Sequence, residues 1–134
     1  MNGRDLLDTN IVIALFADEP ILTDKIAKAG YISVPAVVVG ELFYGANKSG
    51  RPEKNSERID TFASNNVILN CDMETARWYG RIKNSLRKKG RPVPENDILI
   101  AAIAFQHDLT LVSSDEHFEK VEDFKLEKWW QNKG

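Results

Sequence analysis

The chain has 134 residues, with 20 acidic and 18 basic side chains and a formal net charge of −2 at pH 7, so the molecule as a whole is not a polycation. A single cysteine excludes an internal disulfide, and the early charges at Arg4 and Asp5, with no long apolar run, argue against a signal peptide and a membrane span. We therefore expect one cytoplasmic domain over residues 1–134, large enough for its own core.

Short apolar runs alternate with helical patterns along the chain, which indicates a parallel sheet covered by helices. The first predicted strand ends at Leu7, and the others span 31–34, 67–69, 110–113 and 124–128. The predicted helices span 9–16, 21–29, 37–46, 53–63, 73–89 and 97–107. Pro35 suits the first position of the third helix, and Gly90 suits the C-cap of the fifth.

A basic segment lies between residues 77 and 94, where the chain carries no acidic residue. A nucleic-acid ligand needs such a local basic surface, because counterion release requires cations beside phosphates. The alternative is a solvated helix face with a basic last turn. As an RNA-binding set we predict Arg81, Lys83, Arg87, Lys88, Lys89 and Arg91.

Four carboxylates are predicted at one edge of the sheet. Asp8 and Asp115 follow strands directly, and Asp97 lies in the first turn of the helix that leads back to the Asp115 strand. In open parallel sheets this edge binds ligands where the strand order reverses. Glu41 lies on an apolar helix surface, where a carboxylate is costly unless it is paired or binds a metal. The alternatives are helix capping for the three aspartates and a buried salt bridge for Glu41.

Clustered carboxylates repel one another unless a cation is bound, and oxygen-only ligands suit Mg²⁺ or Mn²⁺ rather than Zn²⁺. Such an ion can polarise a phosphoryl oxygen. Cys71 is alone, and His107 and His117 lack zinc-type spacing, so we expect both histidines at the surface or at helix ends. The chain has no glycine-rich phosphate loop, which excludes a dinucleotide-binding protein.

Four segments in order resemble the motifs of PIN-domain ribonucleases, and the resemblance covers about residues 6–129. They are LLDTN at 6–10, PAVVVGELFYG at 35–45, PENDILIAA at 94–102 and LVSSDEHF at 111–118. The resemblance is to the VapC-type toxins of VapBC toxin–antitoxin pairs. It implies a three-layer α/β/α fold with a central parallel sheet in the order 3-2-1-4-5.

The resemblance also implies a Mg²⁺- or Mn²⁺-dependent endoribonuclease that cuts structured RNA, tRNA or rRNA, and so blocks translation. By position, the catalytic and metal-binding quartet is Asp8, Glu41, Asp97 and Asp115. Asn10 and Ser113 match supporting polar positions, and Glu95 is an extra acid with helix capping as its alternative. The implied partners are an antitoxin protein and a second copy of the chain in a homodimer, with larger complexes open.

Three other functions remain open. The first is a PIN nuclease of RNA processing that is not a toxin. The second is a PIN fold that holds RNA or a protein partner without cutting, although all four acidic positions are present. The third is a phosphatase with Asp8 as nucleophile, but such enzymes commonly place a second Asp two residues later, where this chain has Asn10.

Overall fold

The computed structural model describes residues 4–130, which form a five-stranded, all-parallel sheet in the order β3-β2-β1-β4-β5. The strands are β1 (Asp5–Leu7), β2 (Ser33–Pro35), β3 (Val67–Leu69), β4 (Thr110–Val112) and β5 (Leu126–Glu127). This order confirms the predicted sheet topology. The central strand β1 lies between β2 and β4, so the strand order reverses at the β1–β4 pair.

Helices cover the sheet in a three-layer α/β/α arrangement. Among the described residues they are α1 (Thr9–Phe16), α2 (Pro20–Ala29), α3 (Ala36–Asn47), α4 (Pro52–Ser64), α5 (Met73–Lys88) and α6 (Glu95–Gln106). A short 3-10 helix, Glu116–Lys120, follows β4. Within residues 4–130, no helix combines the length and the apolarity needed to cross a bilayer.

The core explains why these segments take these conformations. Leu6, Leu7 and Leu111 are fully buried, as expected of parallel strands with helices on both faces. Helix α6 is buried along most of its length, at Ile98 and at every residue from Ile100 to Ala104. A helix that is apolar on all sides belongs inside a protein. Its first turn, which carries Asp97, is therefore fixed by the core.

Two prolines shift the predicted element boundaries. Pro35, expected as the first residue of α3, is instead the last residue of β2, because its φ of −65° and ψ of 143° are extended. Pro94 is likewise extended and stands at the N-cap of α6, which begins at Glu95, two residues earlier than predicted. Gly90, with φ of +63°, follows the end of α5 as predicted. Hydrogen bonds from the N–H groups of Gly90 and Arg91 to α5 carbonyls complete that helix end.

Candidate metal and catalytic site

The register of the two central strands brings Asp8 and Ser113 together. Leu7 of β1 pairs with Val112 of β4, so the next residue of each strand stands at the same edge of the sheet. The Asp8 N–H donates to the Val112 carbonyl at 3.0 Å, which extends the ladder by one bond. Asp8 is only 4% exposed and Ser113 is fully buried. The predicted position of Asp8 at the carboxyl end of the first strand is confirmed.

The hydroxyl of Ser113 connects the two strand ends. It donates to Asp8 Oδ2 at 2.6 Å and accepts from the Asp115 N–H at 3.0 Å. Asn10 adds a second link, because its amide donates to Asp8 Oδ2 at 3.3 Å and its carbonyl accepts from the Ser114 N–H at 3.2 Å. These hydrogen bonds orient Asp8 and the backbone that carries Asp115.

Asp97, Asp115 and His117 meet on the other side of this edge. The imidazole Nδ1 of His117 lies 3.1 Å from Asp97 Oδ2 and 3.1 Å from Asp115 Oδ1. One donor atom from each of the three residues lies within 4.8 Å of the other two. Helix α6 therefore delivers Asp97 to the carboxyl end of β4, which is the convergence that the sequence predicts.

Glu41 reaches the site from helix α3. Its Oε1 accepts a hydrogen bond of 2.9 Å from the hydroxyl of Thr9, the first residue of α1. Within residues 4–130 no basic side chain forms an ion pair with Glu41, so its partner is a hydroxyl rather than the buried salt bridge considered above. A hydroxyl donor leaves the carboxylate charge uncompensated.

The capping roles of the aspartates are real and coexist with this convergence. Asp8 Oδ1 accepts from the Thr9 N–H at 2.8 Å at the start of α1. Asp115 Oδ1 accepts from the His117 N–H at 2.9 Å at the start of the 3-10 helix. Capping and convergence are therefore not alternatives, because the same bonds that satisfy the helix ends also hold each carboxylate in place.

The crowding of carboxylates perturbs two of them. Burial, together with the charges of Asp97 and Asp115, raises the pKa of Asp8 to about 6, although hydrogen bonds from Ser113 and the Thr9 N–H lower it. Burial also raises the pKa of Asp97, and the charges of Asp115 and Glu41 add to this. The contact with His117 opposes the shift in Asp97. Like charges held this close favour a bound cation.

The residues present fit a divalent cation of the Mg²⁺ or Mn²⁺ class. Carboxylate oxygens dominate the donor set, and one imidazole accompanies them. Cys71 is exposed and lies after β3, so the described residues supply no thiolate to this site. A set rich in hard oxygen donors suits these ions better than a closed tetrahedral zinc centre.

Glu95 lies outside this carboxylate cluster. As the first residue of α6 it is exposed, and its carboxylate accepts from the Lys83 ammonium at 2.5 Å and from the Tyr79 hydroxyl. These two contacts hold the pKa of Glu95 below its usual range. In the first turn of α6 its negative charge interacts favourably with the helix dipole, which agrees with the alternative role of Glu95 at the helix end.

The predicted basic residues all lie exposed on α5 and on the turn after it. Lys83 pairs with Glu95, Lys89 pairs with Glu122, and Arg81 stacks on the ring of Trp78. A groove of about 400 Å³ lies beside the connection between α5 and α6. Its apolar and basic lining includes Leu86, Val93, Ile98, Lys83, Arg87 and Arg91. Because Glu95 and Ile98 also line this groove, it reaches the segment that carries Asp97.

A model of the PIN domain family matches residues 6–123. The chain belongs to the PIN domain family. Over 127 residues, this PIN domain is 42% identical to Ribonuclease VapC2 of Haemophilus influenzae, covering 92% of the chain and 96% of the relative. It is also 34% identical to the tRNA(fMet)-specific endonuclease VapC of Shigella flexneri, again over 127 residues that cover 92% of the chain and 96% of the relative. These relatives confirm the predicted family and its VapC-type branch.

A solved structure agrees with this assignment. The PIN domain is similar to a chain in the crystal structure of VapBC2 from Rickettsia felis bound to a DNA fragment from its promoter. The TM-score is 0.85 and the identity 30%, and the match covers 95% of this chain and 98% of that one. The similarity extends over the whole three-layer fold, so the predicted fold class is confirmed.

His117 is the residue of this site that the sequence did not reveal. His107 stands at the end of α6 and is exposed, and His117 lies in the 3-10 helix with a ring that is 45% exposed, so both histidines lie where they were expected. His117 also contacts two of the four predicted carboxylates, which the sequence did not indicate. A signal for it exists in hindsight, since an Asp that caps a 3-10 turn brings the residue two positions later beside its own carboxylate.

Proposed function

We propose that this PIN domain is a divalent-metal-dependent endoribonuclease and the toxin of a VapBC pair. The observation that carries the proposal is the convergence of Asp8, Glu41, Asp97 and Asp115 at the strand-order reversal. The relatives are named as VapC ribonucleases, which supports the same conclusion. The sequence already disfavours the phosphatase alternative, and the Asn10 amide beside Asp8 donates hydrogen bonds but offers no general acid.

Asp8, Asp97 and Asp115 would hold the ion, Mg²⁺ or Mn²⁺, with Glu41 at its side. When bound, the ion supplies positive charge that stabilises the phosphoryl oxygens and makes a nearby water more acidic. Glu41, oriented by the Thr9 hydroxyl, takes the proton from the attacking water. The water oxygen bonds to phosphorus, the bond from phosphorus to the ribose 3′ oxygen breaks, and that oxygen takes up a proton. The products carry 5′-phosphate and 3′-hydroxyl ends.

The RNA substrate proposed is tRNA, with initiator tRNA first, because a relative at 34% identity is named as specific for tRNA(fMet). The exposed cations of α5 and of the turn after it would contact its phosphates, with Arg87, Lys88 and Arg91 best placed. In the described part of the chain no carboxylate pairs with these three side chains. The groove beside them would accept a nucleotide near the cleavage site.

The antitoxin would cover the opposite side of the site. A groove of about 200 Å³ runs between α1, α3 and α4, and Glu41 is among its lining residues together with Ile13 and Phe16. Ile13 is 55% exposed, and together with Phe16 and Leu42 it gives this groove an apolar lining beside the Glu41 carboxylate. An antitoxin segment in this groove would bury Ile13 and reach the carboxylates. A homodimer of the toxin is part of the same proposal.

The test is cleavage of purified initiator tRNA, total tRNA and rRNA with Mg²⁺ or Mn²⁺, beside an EDTA control and the Asp8→Asn variant. Asp24→Asn is the matched control, since Asp24 is exposed on α2 and its ion-pair partner there is the exposed Lys28. We expect discrete cuts that need both the metal and Asp8. Cleavage by Asp8→Asn at the rate of the unmodified protein would refute the mechanism. No cleavage of any RNA by the folded, metal-loaded protein would favour the binding module.

A further inference from the structure

The imidazole of His117 points into the carboxylate cluster rather than away from it. Its Nδ1 lies at the same distance, 3.1 Å, from an oxygen of Asp97 and from an oxygen of Asp115. The backbone fixes this position, because the His117 N–H caps onto Asp115 and the next residue, Phe118, is fully buried. The ring itself is 45% exposed, so the core does not require its presence.

These separations are those of neighbouring ligands around one ion. Two ligands at right angles, each about 2.1 Å from a six-coordinate ion, lie about 3.0 Å apart. We propose that His117 is a direct ligand of the cation through Nδ1, and that it makes this site prefer Mn²⁺ to Mg²⁺. The proposal rests on the metal-dependent function proposed above and specifies which ion serves it.

The preference follows from the chemistry of the donor. Carboxylate oxygens suit both ions, but Mg²⁺ selects oxygen ligands and retains its water molecules, whereas Mn²⁺ exchanges water for an imidazole nitrogen more readily. A site made only of Asp8, Glu41, Asp97 and Asp115 would distinguish the two ions weakly. One nitrogen donor beside these carboxylates increases the affinity for Mn²⁺ and adds little for Mg²⁺.

A second role for His117 makes the opposite prediction. As a protonated imidazolium, it would only neutralise Asp97 and Asp115 and would compete with any cation. Removal of the ring would then strengthen the binding of both ions. The sign of the change in affinity therefore separates a ligand from a counter-charge.

The experiment measures metal binding by the purified full chain without RNA. Mn²⁺ is titrated by electron paramagnetic resonance, and Mg²⁺ by its competition with Mn²⁺. Loss of a group that only hydrogen-bonds to a metal ligand typically weakens metal affinity by about 10–100-fold. Loss of a direct ligand should cost at least as much, so we expect His117→Ala to weaken Mn²⁺ binding by at least about tenfold. The affinity for Mg²⁺ should change by less than about twofold. The matched control is His107→Ala, which removes the exposed histidine at the end of α6.

Pulsed electron paramagnetic resonance provides a second readout, which needs no variant. Mn²⁺ bound to the unmodified protein should show a nitrogen coupling that His117→Gln loses. Absence of that coupling in the unmodified protein, or unchanged or tighter Mn²⁺ binding by His117→Ala, would overturn the proposal. Because no RNA is present, these results are independent of cleavage. A nitrogen coupling without cleavage of any RNA would support the ligand and count against the nuclease.

Discussion

The negative charge of Asp8 should destabilise the metal-free protein at neutral pH. The carboxyl group is 4% exposed, and its pKa rises from 3.8 to about 6 on folding. A group whose pKa is raised by folding contributes stability that is complete below the lower value, 3.8, and is lost as pH rises through the higher one, about 6. A difference of about two pKa units corresponds to about 3 kcal/mol.

Asp8→Asn should therefore stabilise the metal-free fold at pH 7, while it removes the proposed activity. The amide keeps the size of the side chain and cannot carry the charge. It has one acceptor oxygen for the donors at Ser113, Asn10 and the Thr9 N–H, and the loss of one such bond costs about 1 kcal/mol. We expect the variant to be about 2 kcal/mol more stable at pH 7. At pH 4, where the native carboxyl group is largely protonated, the two proteins should differ by less than about 1 kcal/mol.

The assay is urea denaturation in EDTA at pH 4, 5.5 and 7, with Asp24→Asn as the exposed control that should show no such trend. Added Mn²⁺ should reverse the order of stability, because the cation binds more tightly to, and so stabilises more, the protein that retains the Asp8 carboxylate. The reasoning is refuted if Asp8→Asn is less stable than the unmodified protein at pH 7 in EDTA. An equal stability difference at all three pH values would refute it too.

Two further predictions concern the supports of the site and its RNA surface. Ser113→Ala should destabilise the protein by about 1–3 kcal/mol in urea denaturation and should slow RNA cleavage, because Asp8 loses a donor and the Asp115 N–H loses its acceptor. Unchanged stability together with an unchanged cleavage rate would contradict the role of Ser113 in holding the two aspartates. Arg87→Ala combined with Arg91→Ala should weaken tRNA binding and reduce the slope of log affinity against log salt by about 1 for each phosphate that the protein no longer neutralises. Fluorescence anisotropy between 50 and 200 mM salt, in the Asp8→Asn background, measures this slope, and an unchanged slope would place the RNA elsewhere.

The succession of strands and helices along the chain was predictable because local patterns determine it, whereas the strand order within the sheet followed from the family resemblance. Apolar runs such as the one ending at Leu7 define buried strands, and right-handed crossovers bring their carboxyl ends to one edge. Asp8 and Asp115 could therefore be placed together from their positions after strands. The element boundaries at Pro35 and Pro94 were less predictable, since proline suits both an extended residue and the first turn of a helix.

The contacts of His117 and Thr9 were not predictable, because they join distant segments of the chain. His117 meets a residue 20 positions earlier, and Thr9 donates to Glu41, 32 positions later. Hydropathy periodicity carries no information about such pairs. The predicted surface position of His117 agrees with its 45% exposed ring, but only the tertiary packing of α6 against the 3-10 helix brings that ring to the carboxylates.

The Ser113 hydroxyl has a consequence for the way a cell would have to control this protein. Because it ties Asp8 to the backbone that carries Asp115, the arrangement of these two carboxylates is complete once β1 and β4 pair. These two carboxylates are already held beside each other in the chain on its own, without a partner. On the proposed function, these two carboxylates are in place as soon as the chain has folded. Inhibition of the nuclease would then depend on the relative rates at which the cell makes and degrades the antitoxin.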